Sequence, residues 1–191
     1  MAFDNHPLKT HAGKLQALIA SAEFTYEQGQ SLPYPDGFES TLRLLKEARK
    51  QKACVFLIGN GGSAAIVSHI FNDFINVGKL RAFTLHESSL VTCISNDYGY
   101  ENVYSKPLET LAQPNDLLIA VSSSGKSQNI RNAADSMKEI GGKVITLSGF
   151  DNDNPLREMG AVNFWLNSSD YGLVEVGHMF FLHCLSDHLK P

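Results

Sequence analysis

The stretch FLIGNGGSAAIVSHIFNDF, residues 56–74, decides the fold class of this chain. An apolar run ends at a loop with almost no side chains, and a helical pattern of apolar residues begins directly after the loop. Such a loop lets the backbone approach a ligand closely, although tight packing would also explain the glycines. The stretch therefore predicts a strand, a ligand-facing loop, and a helix that carries His69 and Asp73 one turn apart.

The same alternation of apolar runs and helical patterns continues to the end of the chain. The runs are continuously apolar, which indicates strands buried on both faces, and strands separated by helices form a mainly parallel sheet. The predicted fold class is α/β, a three-layer, doubly wound, mainly parallel five-stranded sheet with an N-terminal helical arm. The predicted strands are residues 53–59, 81–85, 116–122, 143–149 and 162–166.

The chain is predicted to be a single domain, residues 1–191, with an N-terminal arm (1–52) and an α/β core (53–191). Within the arm, an amphipathic helix is predicted over residues 8–30 and a second helix over about 38–51. A Pro/Gly connection, SLPYPDG, lies between these two helices. The helices predicted in the core are residues 63–77, 127–140 and 173–189, and most of 88–112.

The composition is that of a globular protein, with 43% hydrophobic and 19% charged residues. A net charge of −4 without a basic patch argues against nucleic acid as a partner. No apolar run is long enough to predict a membrane span, and the N-terminus lacks the apolar centre of a secretory signal. Cys54, Cys93 and Cys184 lie in separate apolar runs and are predicted to be buried free thiols. We therefore expect a cytoplasmic protein without membrane partners.

Two loops that follow predicted strands contain candidate binding residues, because ligands of doubly wound sheets lie outside the carboxyl ends of the strands. The first is GNGGS, residues 59–63, which matches neither of the common nucleotide-binding glycine motifs. The second is SSSGKSQN, residues 122–129, which opens a helix. Four hydroxyls at a helix N-terminus form an anion site, and they exceed what one helix cap needs. The second loop therefore predicts binding of a phosphate group on a small metabolite.

A third loop, SNDYGYEN at residues 95–102, separates two predicted helices. The side chains of Asn96 and Asp97 can form hydrogen bonds with sugar hydroxyls. An ordinary turn explains the same residues equally well.

Candidate acid–base groups lie on two predicted helices. His69 and Asp73 share one helix face, and the last helix carries Glu175, His178 and His183. Histidine and carboxylate four residues apart suit a divalent metal, whereas a histidine on an apolar helix is often a core residue. Glu175 and His183 are separated by eight residues, about 12 Å along a helix. The two reach one ion if Glu175 lies at a frayed helix start, or if they come from different subunits.

The order of these motifs resembles that of the SIS (sugar isomerase) domain family. The resemblance covers nearly the whole chain and is carried by GNGGSAA, SNDYGYENVYSKPLE, AVSSSGKSQNI, KVITLSG and the final helix with its histidines. It implies a flavodoxin-like SIS fold and an aldose–ketose isomerase that acts on a phosphorylated sugar. The nearest resemblance is to members that interconvert D-sedoheptulose 7-phosphate and D-glycero-D-manno-heptose 7-phosphate. It also implies a zinc ion and a homotetramer with active sites at subunit boundaries.

The resemblance also implies roles for individual residues, carried over by position. His69 corresponds to a zinc ligand, and His183 corresponds to a residue that is both zinc ligand and general acid/base. Asp73 stands where the family has Glu, and Glu175 stands where it has Gln, so both remain candidates for the base and for the metal. The predicted substrate contacts are Asn60, Gly61, Gly62, Ser63, Asn96, Asp97, Ser122, Ser123, Ser124 and Ser127.

Two other functions fit the same motifs. One is an isomerase of a different sugar phosphate, such as one that feeds capsule or exopolysaccharide synthesis. The other is a non-catalytic phosphosugar-binding module that regulates or binds a protein partner. The changes at Asp73 and Glu175 suit lost catalysis, whereas the presence of both His69 and His183 argues against it.

Overall fold

The structure is a computed structural model that describes residues 6–190. Within these residues a seven-stranded sheet lies between two layers of helices, which confirms the α/β class. The helices are α1 (Pro7–Ala20), α2 (Tyr34–Gln51), α3 (Gly62–Asn76), α4 (Ser88–Tyr98), α5 (Ser105–Leu111), α6 (Gln128–Ile140) and α7 (Tyr171–His188). The strands are β1 (Glu23–Thr25), β2 (Ser31–Leu32), β3 (Cys54–Gly59), β4 (Arg81–Thr84), β5 (Leu117–Ser122), β6 (Lys143–Gly149) and β7 (Val162–Leu166).

The strand order, β2-β1-β7-β6-β5-β3-β4, explains where a ligand can bind. The five predicted strands, β3 to β7, are present and all parallel, in the flavodoxin-like order. The strand β3 pairs with β4 on one side and with β5 on the other. The direction of winding therefore reverses between β3 and β5, and a crevice opens at their carboxyl ends. The loops GNGGS and SSSGKS are the two walls of that crevice.

The predicted helix over residues 8–30 is wrong beyond Ala20. The segment Glu23–Thr25 instead forms β1, which pairs antiparallel with β7 and with β2, so two short strands extend the five predicted ones. The ring of Phe24 is buried and packs 5.1 Å from the ring of Phe164 and 5.7 Å from that of Phe181. Only a strand conformation places Phe24 in register with β7. The free energy gained by burying Phe24 among these distant aromatic side chains therefore outweighs the local preference for a helix.

The two sides of the sheet are covered by different helices. One layer contains α1, α2, α3 and α7, and the opposite layer contains α4, α5 and α6. None of the helices in the described part of the chain is both long and apolar enough to cross a bilayer. All three cysteines are free thiols, but the prediction that all are buried is wrong for Cys93, which is exposed on α4. Cys54 and Cys184 are partly buried.

His178 is a core residue of α7. Its ring is fully buried, and Nε2 donates a hydrogen bond to the carbonyl oxygen of Ser148 at 3.1 Å. Within residues 6–190 the other ring nitrogen has no partner. Burial disfavours the charged ring and lowers the pKa of His178 to about 4. The neutral ring therefore anchors α7 on the strand β6.

We expect His178 to make the fold sensitive to acid. The unfolded chain takes up this proton near its ordinary pKa of 6.5, whereas the native state does so only near 4, so stability falls as the pH drops between these values. Between pH 7 and pH 4.5 this linkage removes about 2 kcal/mol of unfolding free energy. Urea unfolding at both pH values measures this loss of unfolding free energy. In His178→Gln, which retains a donor for Ser148, the loss should be smaller than in the wild type by that amount. An equal loss in the wild type and the variant would contradict the assignment.

Candidate functional site

A cavity of about 240 Å³ lies in the crevice between β3 and β5. Both strand-end loops contribute to its walls, and the N-terminal part of α7 forms a third side. The structure therefore brings together three segments of the sequence, near residues 60, 122 and 171. Its lining residues are Asn60, Gly61, Gly62, Ser63, Ser122, Ser123, Ser124, Ser127, Tyr171 and Glu175.

The serine loop, residues 122–127, is a tight turn that leads directly into a helix. Gly125 has φ +63° and leaves no space for a Cβ, which would lie 1.9 Å from Oδ1 of Asn154. The backbone N–H of Gly125 donates to the carbonyl oxygen of Ser122 at 3.0 Å, which closes the turn. Directly beyond this loop the helix α6 begins, so its positive N-terminal end faces the same space.

Ser123 provides a second indication of a ligand at the serine loop. Its side chain is buried, and within the described residues its Oγ forms no hydrogen bond. An unpartnered buried hydroxyl costs free energy. Because Ser123 lines the cavity, an oxygen atom of a bound ligand would give this hydroxyl the partner it lacks.

The glycine loop, residues 59–63, is held by a network that connects distant segments. The side-chain amides of Asn60 and Asn129 exchange two hydrogen bonds of 2.9 Å each. The hydroxyl of Tyr100 donates to Oδ1 of Asn60 at 3.0 Å, and that of Tyr104 donates to the carbonyl oxygen of Gly59 at 2.6 Å. Burial raises the pKa of Tyr104, so this hydroxyl remains a donor. Oδ1 of Asn60 is therefore engaged by Asn129 and Tyr100.

Glu175 places a carboxylate against the start of α3. A Cβ at Gly62 would lie 2.3 Å from Oε1 of Glu175, so the absence of a side chain at position 62 makes this approach feasible. The carboxylate therefore lies beside the first residue of a helix, where the macrodipole favours negative charge. Glu175 belongs to the cavity and not to the group of histidines described next.

His69, Asp73 and His183 form a compact cluster where α3 packs against α7. Nδ1 of His183 lies 3.1 Å from Oδ2 of Asp73, and the rings of His69 and His183 are 5.2 Å apart. One ligand atom from each of the three lies within 4.8 Å of the others. Of the four residues predicted to hold a metal, the structure does not place Glu175 in this group. Eight residues separate it from His183, and this spacing carries Glu175 to the cavity instead.

Asn96 and Asp97 do not line the cavity. Both are exposed on α4, where Nδ2 of Asn96 donates to Oδ1 of Asp97 at 2.9 Å. Sγ of Cys93, one turn earlier, lies 3.5 Å from Oδ2 of Asp97. Contact of these two residues with a substrate stays a prediction.

Sequence reasoning missed several residues at the site. Tyr100, Tyr104 and Asn129 support the glycine loop through contacts with residues 40 to 69 positions away. No local pattern indicates such long-range partners. Tyr171 lines the cavity from the first turn of α7, and it precedes Glu175 by four residues. That helical spacing was the one signal in the sequence that could have identified Tyr171.

Comparisons with known proteins show what this chain is similar to. A model of the SIS domain matches residues 35–149. A protein from Campylobacter concisus named phosphoheptose isomerase is 34% identical over 153 residues, which cover 77% of this chain and 80% of that protein. A Mycobacterium bovis protein of the same name is 35% identical over 144 residues, 72% of this chain and 73% of its own. A solved structure of a phosphoheptose isomerase from Francisella tularensis has a TM-score of 0.83 and covers 96% of this chain and 94% of its own, at 21% identity, which shows likeness of fold alone.

We expect Ser123→Ala to separate binding from stability. The hydroxyl of Ser123 has no partner among the described residues, so its removal should leave the melting temperature unchanged or slightly raised. Loss of a hydrogen bond to a charged ligand should weaken binding of inorganic phosphate about tenfold. Calorimetric titration with phosphate and thermal unfolding measure the two effects. The exposed Ser169→Ala serves as the matched control, and unchanged phosphate affinity in Ser123→Ala would exclude this hydroxyl from the anion site.

Proposed function

The chain belongs to the SIS domain family, and from this membership we propose that it is an aldose–ketose isomerase that converts D-sedoheptulose 7-phosphate to D-glycero-D-manno-heptose 7-phosphate. Relatives named phosphoheptose isomerase, 34% and 35% identical over most of the chain, support the activity. The observation that carries the proposal is the arrangement of α3 and α7. At one end these two helices border the cavity that the serine loop and the glycine loop line. Further along they hold a cluster of imidazole and carboxylate groups.

The serine loop is proposed to bind the phosphate of the sugar. The hydroxyls of residues 122, 123, 124 and 127 and the N-terminal end of α6 supply the interactions. The glycine loop, from Asn60 to Ser63, is proposed to contact the rest of the substrate, with Asn96 and Asp97 as further contacts. Binding energy at the phosphate is remote from the reacting carbons, so it serves to orient them.

Isomerisation through an enediol(ate) needs one base and one proton donor. We assign Asp73 as the base, which takes a proton from C1 of the ketose and returns it to C2. His183 donates a proton to the oxygen on C2 and accepts one from the oxygen on C1. The contact of 3.1 Å between Nδ1 of His183 and Oδ2 of Asp73 supports a shared role, because it places the proposed base beside the proposed proton donor.

Glu175 is the alternative base, and one observation favours it. Its carboxylate lines the same cavity as the serine loop, whereas Asp73 lies in the cluster with two histidines. A carboxylate that binds a metal is a weaker base than a free one. If Asp73 serves as a metal ligand, Glu175 remains available for proton transfer.

The cluster fits a zinc ion. Two imidazole nitrogens and one carboxylate oxygen are donor types that zinc prefers, and three protein ligands with one open position are typical of catalytic zinc sites. His69, Asp73 and His183 would hold the ion, and Glu175 would join them only from another subunit. A bound zinc ion would supply a Lewis acid that polarises the substrate carbonyl.

The proposal includes a homotetramer in the cytoplasm. An apolar groove of about 410 Å³ lies between α1 and α7, and Phe180 within it is 50% exposed. A neighbouring subunit would bury this surface. Three free cysteines agree with a reducing compartment.

The activity is tested by incubating the protein with D-sedoheptulose 7-phosphate and following the sugar by NMR, with added zinc and with a chelator. We expect conversion to the heptose phosphate, and a loss of about 100-fold or more in kcat/KM for Asp73→Asn, because general base catalysis contributes at least that factor. Glu175→Gln should retain more activity than Asp73→Asn. The reverse order would identify Glu175 as the base.

The exposed Asp135→Asn on α6 is the matched control for these two variants. Conversion that zinc restores after chelation would support a metal enzyme. Binding of the sugar phosphate without turnover under any metal condition would overturn the proposed activity. That outcome would favour a different sugar substrate or a non-catalytic binding module.

The assembly is tested by light scattering at micromolar protein concentration. We expect a particle of four times the 21.0 kDa chain mass. Phe180→Asp should lower the particle mass, because burial of a charge in an apolar interface is unfavourable. The exposed Leu111→Asp, on the opposite layer, should leave it unchanged. A monomer in the wild type would argue strongly against a site shared between subunits.

A further inference from the structure

The cavity has one aromatic wall that the proposed mechanism does not use. Tyr171 is the first residue of α7, and it lines the cavity together with Glu175 one turn later. Although its ring borders a binding cavity, 61% of its surface is exposed to solvent. The side chain therefore offers an exposed aromatic ring beside the serine loop and the glycine loop.

A second aromatic residue fixes the position of this ring. The rings of Phe150 and Tyr171 meet edge to face, with their centroids 4.7 Å apart and an interplanar angle of 75°. The ring of Phe150 also packs against the hydrophobic core, so the core supports Tyr171 through Phe150. Edge-to-face contacts of this kind are specific in geometry, and the contact limits the directions that Tyr171 can take.

Phe150 contacts Tyr171 from an unfavourable backbone conformation. Its φ is +60°, in the left-handed region that a bulky residue rarely adopts. In this conformation its backbone N–H donates to the carbonyl oxygen of Ser168 at 2.9 Å, which ties the end of β6 to the segment before α7. Such conformations cluster at ligand-binding sites, where the surrounding structure maintains them.

We propose that Tyr171 contacts the carbon chain of the bound sugar phosphate and that Phe150 positions its ring. This inference rests on the proposed function for the identity of the ligand. The phosphate is bound by the serine loop, and Tyr171 borders the same cavity from the helix that also carries Glu175 and His183. The electron-rich ring face suits the C–H groups of a sugar chain, and the hydroxyl suits a sugar hydroxyl.

Four variants distinguish the contributions of the Tyr171 ring, of its hydroxyl and of the support from Phe150. In assays with D-sedoheptulose 7-phosphate, Tyr171→Ala should raise KM about tenfold and change kcat by less than about threefold, because the ring binds substrate remote from proton transfer. Tyr171→Phe should raise KM two- to threefold, in the range of about one neutral hydrogen bond. Phe150→Ala should raise KM about threefold, and Phe150→Tyr, which retains the ring, should restore it. The exposed Tyr26→Ala should leave KM unchanged.

Inorganic phosphate separates contact with the carbon chain from contact with the phosphate group. Its dissociation constant, measured by calorimetry, should be the same in the wild type and in Tyr171→Ala, since phosphate has no carbon chain. A KM within twofold of the wild-type value in Tyr171→Ala would overturn the proposal, and so would weakened phosphate binding in that variant. A kcat that falls while KM is unchanged would also overturn it.

The same variants keep this inference distinct from the proposed function. If the wild type binds sedoheptulose 7-phosphate without turnover, the isomerase proposal fails, and Tyr171 is judged on the dissociation constant of the sugar phosphate. A tenfold weaker constant in Tyr171→Ala would then still support the contact, and an unchanged one would overturn it. Absence of both turnover and binding in the wild type would overturn both proposals.

Discussion

The pairing of β3 with β5 is the constraint on which the rest of the site depends. In this register Gly59 lies opposite Val121, so both strands end at the same edge of the sheet and their loops become neighbours. One loop is nearly bare of side chains, and the other contains four serines and Lys126. Pairing in parallel places them around one cavity, and the helices that follow, α3 and α6, both direct their N-termini to that edge.

The packing of α3 against α7 sets the relative positions of the cavity and the cluster of His69, Asp73 and His183. Glu175 approaches Gly62 at the start of α3, and His183 meets Asp73 further along. The two helices are therefore parallel, and both run from the cavity toward the cluster of imidazole and carboxylate groups. The rise of 1.5 Å per residue makes the distance between Glu175 and His183 about 12 Å. A ligand that holds its phosphate at the serine loop reaches the cluster of this chain by extending along α3 and α7.

The sequence was most informative where local pattern and burial agree. The strands β6 and β7 begin and end where the sequence predicted, because burial on both faces selects apolar residues at most of their positions. The predicted helix over 8–30 failed because Phe24 is buried by aromatic residues far along the chain. The pairing of Asn60 with Asn129 was equally inaccessible, since nothing in either segment specifies the other. Local motifs therefore identified the two loops that line the cavity but not the residues that hold them in place.

The two candidate bases, Asp73 and Glu175, lie toward opposite ends of the pair of helices α3 and α7. Asp73 is the shorter acid, and on α3 it lies within hydrogen-bonding distance of His183, so the cluster is formed without a longer side chain. Glu175, the longer acid, extends to the start of α3 because residue 62 is glycine. A side chain at residue 62 would displace Glu175 without touching the cluster, and a change at Asp73 would disturb the cluster without touching the cavity. The carboxylates are thus structurally independent, so their contributions to proton transfer can be measured one at a time.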